Sequence, residues 1–246
     1  MAKIIFSYRV AWDDGKAPCV DDGLLSLAIC KSRLRGIIAK EQLKHVSHEY
    51  YLLGLCGKRD LPSILFYARL NSPTPIIDFY QWYTTRKDSL YSIDEQGTLK
   101  RNQRYACVHA GGSSSDLSQP YVLTSDDFYY FGKSAIKIPQ LIADQYHAFL
   151  PGGQEHKPAA PYGESDLYKG LHSEIMTLIQ DHPLSEAQPH LPYPPTKGCI
   201  AEDYAEGFIR AQGYYKRENT VIQHAADMAN EKRGYCQDCV NAAACV

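Results

Sequence analysis

Val122-Leu-Thr-Ser-Asp-Asp-Phe-Tyr-Tyr-Phe-Gly-Lys-Ser-Ala-Ile-Lys-Ile-Pro139 is the stretch on which the fold turns. Four consecutive aromatics, Phe128 to Phe131, stand between an acidic turn and a Gly-Lys pair, and Pro139 closes the segment. Taken alone, such a run reads as core packing. Beside Gly132 and Lys133 it can also wall a base-stacking platform with a phosphate contact. Strand alternation sends Tyr129 and Phe131 to one face and Phe128 and Tyr130 to the other, so at most half of the run meets a ligand. The Tyr129/Phe131 half is the candidate.

Working outward, residues 3–12 alternate, with Ile4, Phe6, Tyr8, Val10 and Trp12 opposed to Lys3, Ser7 and Arg9, the pattern of a half-buried strand. Leu24 to Cys30 reads as a second strand running into Lys31-Ser-Arg-Leu-Arg35. Extended backbone there puts three cations on one side. Gly36 to Lys44 holds a short helix, and Glu49 to Gly57 pairs with Pro62 to Leu70 across a Lys-Arg-Asp turn. Thr74-Pro75 has the form of an N-cap and first helical position for a helix over 75–85. Arg104 to His109 is a short strand candidate, and Gln140 to Ala148 a short helix.

From Pro151 to Gly163 the chain is proline, glycine and charge, a linker or surface loop. Ser165 then caps a helix over 166–181, with Leu167, Leu171, Ile175 and Ile179 at four-residue steps. Prolines exclude regular helix between Asp181 and Gly198, and two further helices follow, near 200–213 and 217–232. The expected class is α+β: a mixed, mainly antiparallel sheet or small barrel over 1–150, with a proline-containing linker and helical extension over 151–246 packed on it.

The 246 residues, 44% apolar, suffice for a sizeable core. A net charge of -2 excludes an all-over basic coat, so a nucleic-acid contact has to come from a local patch. Nineteen tyrosines suit half-wet surfaces and clefts. The N-terminal apolar run breaks too early for a signal peptide and no later run has the length of a membrane span, so a cytoplasmic protein without membrane contact is expected. Its eight cysteines, spread from Cys19 to Cys245, then read as reduced thiols.

Several constellations can carry chemistry. Ala110-Gly-Gly-Ser-Ser-Ser-Asp116 lacks the ending of a P-loop. It reads as a flexible polar loop, or as one whose backbone N–H groups and Ser113 hold a phosphate or base edge, with His109 as proton carrier. The acid pairs Asp13-Asp14, Asp21-Asp22 and Asp126-Asp127 are turn residues by position, though one facing a basic patch can act as acid or base. Cys236, Cys239 and Cys245 supply three of the four ligands that zinc wants, so no metal and no cofactor is assigned. Lys31, Arg33 and Arg35, joined by Lys58, Arg59 and Lys133, are either a solvated strand face or the contact for an anionic partner.

Three stretches together resemble the prokaryotic and phage family called nucleotide modification associated domain, second type. They are Tyr8-Arg-Val-Ala-Trp-Asp-Asp-Gly-Lys-Ala-Pro-Cys19, Leu27-Ala-Ile-Cys-Lys-Ser-Arg-Leu-Arg35 and Val122-Leu-Thr-Ser-Asp-Asp-Phe-Tyr-Tyr-Phe-Gly132. The resemblance implies a component of systems that make, handle or restrict modified nucleobases and, more distantly, a PUA-like barrel. Carried onto matching positions, it implies Arg9 and Arg33 as phosphate or base-edge donors, Tyr8 and Phe131 as stacking walls, and Gly15 and Gly132 as turns, with Asp14, Pro18, Cys30, Lys31 and Arg35 also matching.

Three functions stand side by side. The first is a nucleobase, nucleotide or nucleic-acid binding component of a DNA modification or anti-phage system, using Tyr8, Arg9, Lys31, Arg33, Arg35, Ser113, Tyr129, Phe131, Gly132 and Lys133. The second is an enzyme acting on a nucleotide or modified base, with Asp14, His109 or Asp116 as proton carrier. The third is a protein-interaction module whose C-terminal helices dock a partner.

Overall fold

The computed structural model describes residues 3–10, 13, 15–57, 62–101, 116–146, 156–158 and 166–180. In chain order the strands are β1 (Lys3–Arg9), β2 (Cys19–Asp21), β3 (Leu24–Leu27), β4 (Glu49–Gly57), β5 (Pro62–Arg69), β6 (Thr74–Pro75), β7 (Tyr91–Ile93), β8 (Leu99–Arg101), β9 (Tyr121–Ser125), β10 (Asp127–Tyr130), β11 (Ile136–Lys137) and β12 (His156–Pro158). The helices are α1 (Ser32–Lys44), α2 (Ile76–Trp82), α3 (Gln140–Gln145) and α4 (Asp166–Gln180).

Alternating apolar side chains in β1 go into two different cores, because the strand lies inside the largest sheet. That sheet has the order β10-β5-β4-β1-β12, with β11 also paired to β5. Its β1/β4 pair is parallel, and its other pairs are antiparallel. Ile5 joins the core under α4, with Leu171, Ile175 and Ile179, the four-residue stripe expected of that helix. Phe6, Tyr8 and Val10 face the opposite core, beneath α1 and a second sheet of order β2-β3-β9-β6. The face expected to be polar is therefore covered: Ser7 is as buried as Tyr8. A third core joins α2 to β7 and β9 through Phe79, Tyr80, Tyr91 and Val122.

The β4/β5 pair forms as expected, with a register shift between Gly54 and Leu55. A Cβ on Gly54 would lie 2.0 Å from the Phe66 ring, so glycine permits the two strands' close packing. Between β2 and β3, Asp22 and Gly23 both have positive φ, 49° and 70°, the twist that a two-residue hairpin turn needs.

Four expectations are corrected. Lys31 to Arg35 is not extended: it is a left-handed residue followed by the first turn of α1. Leu34, Ile38 and Gln42, one helical turn apart, are the buried side of that helix, and this 3.6-residue demand overrides the two-residue spacing of the cations. Thr74-Pro75 pairs with β9 as a short strand, and α2 begins at Ile76 without a side-chain cap. Part of the expected linker, 156–158, adds an antiparallel strand to β1. The described strands close into no barrel, so the barrel alternative gives way to open sheets in an α+β fold. Trp12, the strand expected over 104–109, Ser165 and the helices expected beyond residue 181 lie outside the described residues.

Candidate functional site

Cys30 and Lys31, with φ of 57° and 44°, are consecutive left-handed residues that are not glycine. Such backbone costs about 1–3 kcal/mol per residue and persists only where its surroundings hold it. Here the Cys30 N–H donates to Asp116 Oδ1 at 2.9 Å, and Tyr91 donates its hydroxyl to the other carboxylate oxygen at 3.1 Å. Arg35, wholly buried, donates from Nε to the Cys30 carbonyl at 3.1 Å. Its remaining nitrogens reach the carbonyls of Tyr121, at 2.6 Å, and Asp116. Arg35 and Asp116 thus tie the turn to the second sheet and to β7.

The turn presents Lys31. Its Nζ lies 5.7 Å from the centre of the Tyr8 ring, the side chain is half-buried, and it has no ion-pair partner among the described residues. Burial lowers its pKa from the ordinary lysine value, with the neighbouring Cys30 acting in the opposite direction. Tyr8 is fully buried, edge-on to Phe66 at 5.9 Å, and its hydroxyl has no hydrogen-bond partner among the described residues. Burial, then the charges of Asp13 and Cys30, push that hydroxyl well above its usual pKa, so it is protonated at neutral pH. Asp13, also buried, accepts the Tyr130 hydroxyl at 2.8 Å. Just beyond the turn, α1 starts with no side-chain cap and no acidic residue in its first turn, and Arg33 is exposed there. The positive end of a helix dipole beside two cationic side chains is suited to an anion.

The structure brings Tyr8, Lys31 and Arg33 to this corner and adds Asp13, Cys30 and Tyr130. It does not form the expected common side of Lys31, Arg33 and Arg35, because residues two apart on a helix point to nearly opposite sides. Arg35 and Asp116 are engaged in holding the backbone. Tyr8 packs as core, with Lys31 over its ring. Arg9 follows Tyr8 in β1 and projects to the sheet's other face. The aromatic run alternates as expected, but Phe131 is buried in the core under α4, where Tyr129 stacks on it at 6.5 Å. The half that reaches the Tyr8 corner is Tyr130. Gly132, with φ of 50°, opens a single 3-10 turn carrying the exposed Lys133. Asp14, His109 and Ser113 lie outside the described residues, as do Cys236, Cys239 and Cys245. The sequence offers Asp13 only as one of several acidic turn residues that could act if it faced a basic patch; its partnership with Tyr130 spans 117 positions.

A second polar cluster has a different character. Arg86 and Asp88, both buried, pair at 3.0 Å. The Ser26 hydroxyl donates to Asp88 and accepts from Arg86, and Arg86 also donates to the carbonyls of Asp21 and Leu24. Burial raises the Asp88 pKa, which Arg86 opposes. Every member is hydrogen-bonded, and the network fastens the β2/β3 hairpin to the segment after α2.

Among the described residues no group of three or more His, Cys, Asp or Glu side chains could hold a metal ion, and no helix is long and apolar enough to cross a membrane. No curated protein and no solved structure matches the chain. The family model described as nucleotide modification associated domain 2 matches residues 1–185, a span that includes every element of the site and α4.

Proposed function

The chain belongs to the nucleotide modification associated domain 2 family, and from that premise we propose that it binds a nucleotide, free or within a nucleic acid, at the turn that opens α1. Family membership ties the chain to nucleotide modification; the geometry supports a place for the ligand. The observation that carries the proposal is the start of α1, where an uncapped helix end without acidic residues is flanked by Lys31 and the exposed Arg33. The phosphate sits at that helix end against Arg33, whose planar fork can take two of its oxygens. The base then lies toward Lys31 and the Asp13/Tyr130 pair, whose polar groups meet its edge.

The test is binding of a deoxynucleoside 5′-monophosphate and of short single-stranded DNA, followed by calorimetry across a salt series. Affinity should fall as salt rises. Hydrogen bonds to charged groups are worth about 1.5–3 kcal/mol, so Arg33→Ala should weaken binding on the order of tenfold to a hundredfold. Binding that ignores both salt and Arg33 would remove the phosphate from this helix end.

A further inference from the structure

Lys31 is placed unlike a lysine that serves only as a phosphate contact. The helix end and Arg33 already supply charge for an anion, whereas the Lys31 amine lies back over the Tyr8 ring, half-buried and without a carboxylate partner among the described residues. It is held there by an uncommon backbone, two successive left-handed residues pinned through the Cys30 amide by Asp116 and through the Cys30 carbonyl by Arg35. The Tyr8 hydroxyl is buried, protonated and without a hydrogen-bond partner among the described residues. An ordinary surface lysine needs none of this. A lysine amine withdrawn from water, with no carboxylate among the described residues to keep it charged, is the arrangement that turns an ammonium group into a nucleophile.

Resting on the nucleotide-site reading, we infer that Lys31 forms a covalent imine with an aldehyde-bearing base, so that the ligand class is a nucleotide carrying an oxidised, formyl-type substituent. The neutral Nζ lone pair attacks the carbonyl carbon, the C–N bond forms and the carbonyl π pair moves to oxygen. Proton transfer from nitrogen to oxygen gives a carbinolamine. Its hydroxyl takes a further proton from water and leaves as water while the nitrogen lone pair forms the C=N bond, and the resulting iminium returns its N–H proton to water. Amine and aldehyde become imine and water, and no oxidant or reductant is consumed.

The experiment uses the full chain with 5-formyl-2′-deoxyuridine 5′-monophosphate and sodium borohydride, which reduces an imine to a stable secondary amine. Intact mass and peptide mapping read the product. The expected result is one adduct per chain on the peptide containing Lys31, retained in Cys30→Ser and lost in Lys31→Arg, which keeps the cationic charge and whose fold is checked by thermal melting. Nucleotide binding with no adduct would overturn the imine and leave the phosphate site standing. Adducts scattered over surface lysines and undiminished in Lys31→Arg would overturn it equally. A Lys31 adduct formed just as fast by 5-formyluracil without sugar or phosphate would support the lysine chemistry and sink the phosphate reading.

Discussion

Two buried polar clusters of this protein differ in whether their groups are satisfied. Around Asp88, the carboxylate, the Arg86 guanidinium and the Ser26 hydroxyl are bonded to one another and to backbone carbonyls. Around Tyr8, among the described residues, a buried hydroxyl lacks a partner, a lysine lacks an ion pair, and the backbone beneath them is left-handed at two positions. The first arrangement returns what desolvation cost it and holds the hairpin in place. The second is kept despite its cost, and a fold tolerates such a cost where a ligand can complete the missing bonds. Satisfaction, more than burial or charge, separates the cluster that fastens the hairpin from the one proposed to hold a ligand.

Breaking the satisfied cluster should have the largest effect. Asp88→Ala leaves Arg86 buried without its partner and should lower unfolding free energy by about 3–5 kcal/mol, read as a shifted urea midpoint. Nucleotide affinity per folded molecule should stay within twofold; a large specific loss would merge the two clusters into one site. Asp116→Ala sits between the regions, freeing the Cys30 amide and the Tyr91 hydroxyl. A stability loss of about 1–3 kcal/mol is expected, together with weakened binding as the Lys31 turn relaxes.

Tyr8→Phe sharpens the contrast by its sign. Removing a buried hydroxyl that has no partner among the described residues should leave stability unchanged or raise it by about 1 kcal/mol. A thermal melt well below the wild type would show that the hydroxyl is satisfied in solution. Arg33→Ala, at an exposed position, should change stability by no more than about 0.5 kcal/mol and act on binding alone.

A smaller, pH-dependent effect belongs to the core under α4. His172 Nδ1 lies 2.9 Å from the Tyr67 hydroxyl, and Tyr51 packs 4.7 Å from the His172 ring. Burial first, then Lys3, lower the His172 pKa below 6.5, with Glu49 opposing. Because the folded pKa lies below the unfolded one, this contribution is complete above about pH 6.5 and declines as pH falls through that value. Stability measured from pH 8 to pH 5 should therefore fall less in His172→Gln than in the wild type. Parallel curves would remove His172 from the acid response.

Local pattern was enough for the β4/β5 pair, for the stripe of α4, for the opposed halves of the aromatic run and for the α+β class. Each depends on residues within a few positions of one another, where the periods of strand and helix act directly. The same pattern misled at Lys31 to Arg35, since alternating cations look alike in a strand and in a helix until burial of Leu34 and Ile38 selects between them. The resemblance singled out Tyr8, Cys30 and Lys31 but not their roles. By itself the sequence determined the β4/β5 pair, the buried stripe of α4, the α+β class and which family the chain resembles. Tertiary structure alone decided that Arg35 and Asp116 would hold a turn, that Tyr130 and not Phe131 would meet the Tyr8 corner, and that Lys31 would lie over a buried ring. Those outcomes depend on which sheet face covers which, and on contacts between residues about 80 to 120 positions apart, a range over which no local period carries information.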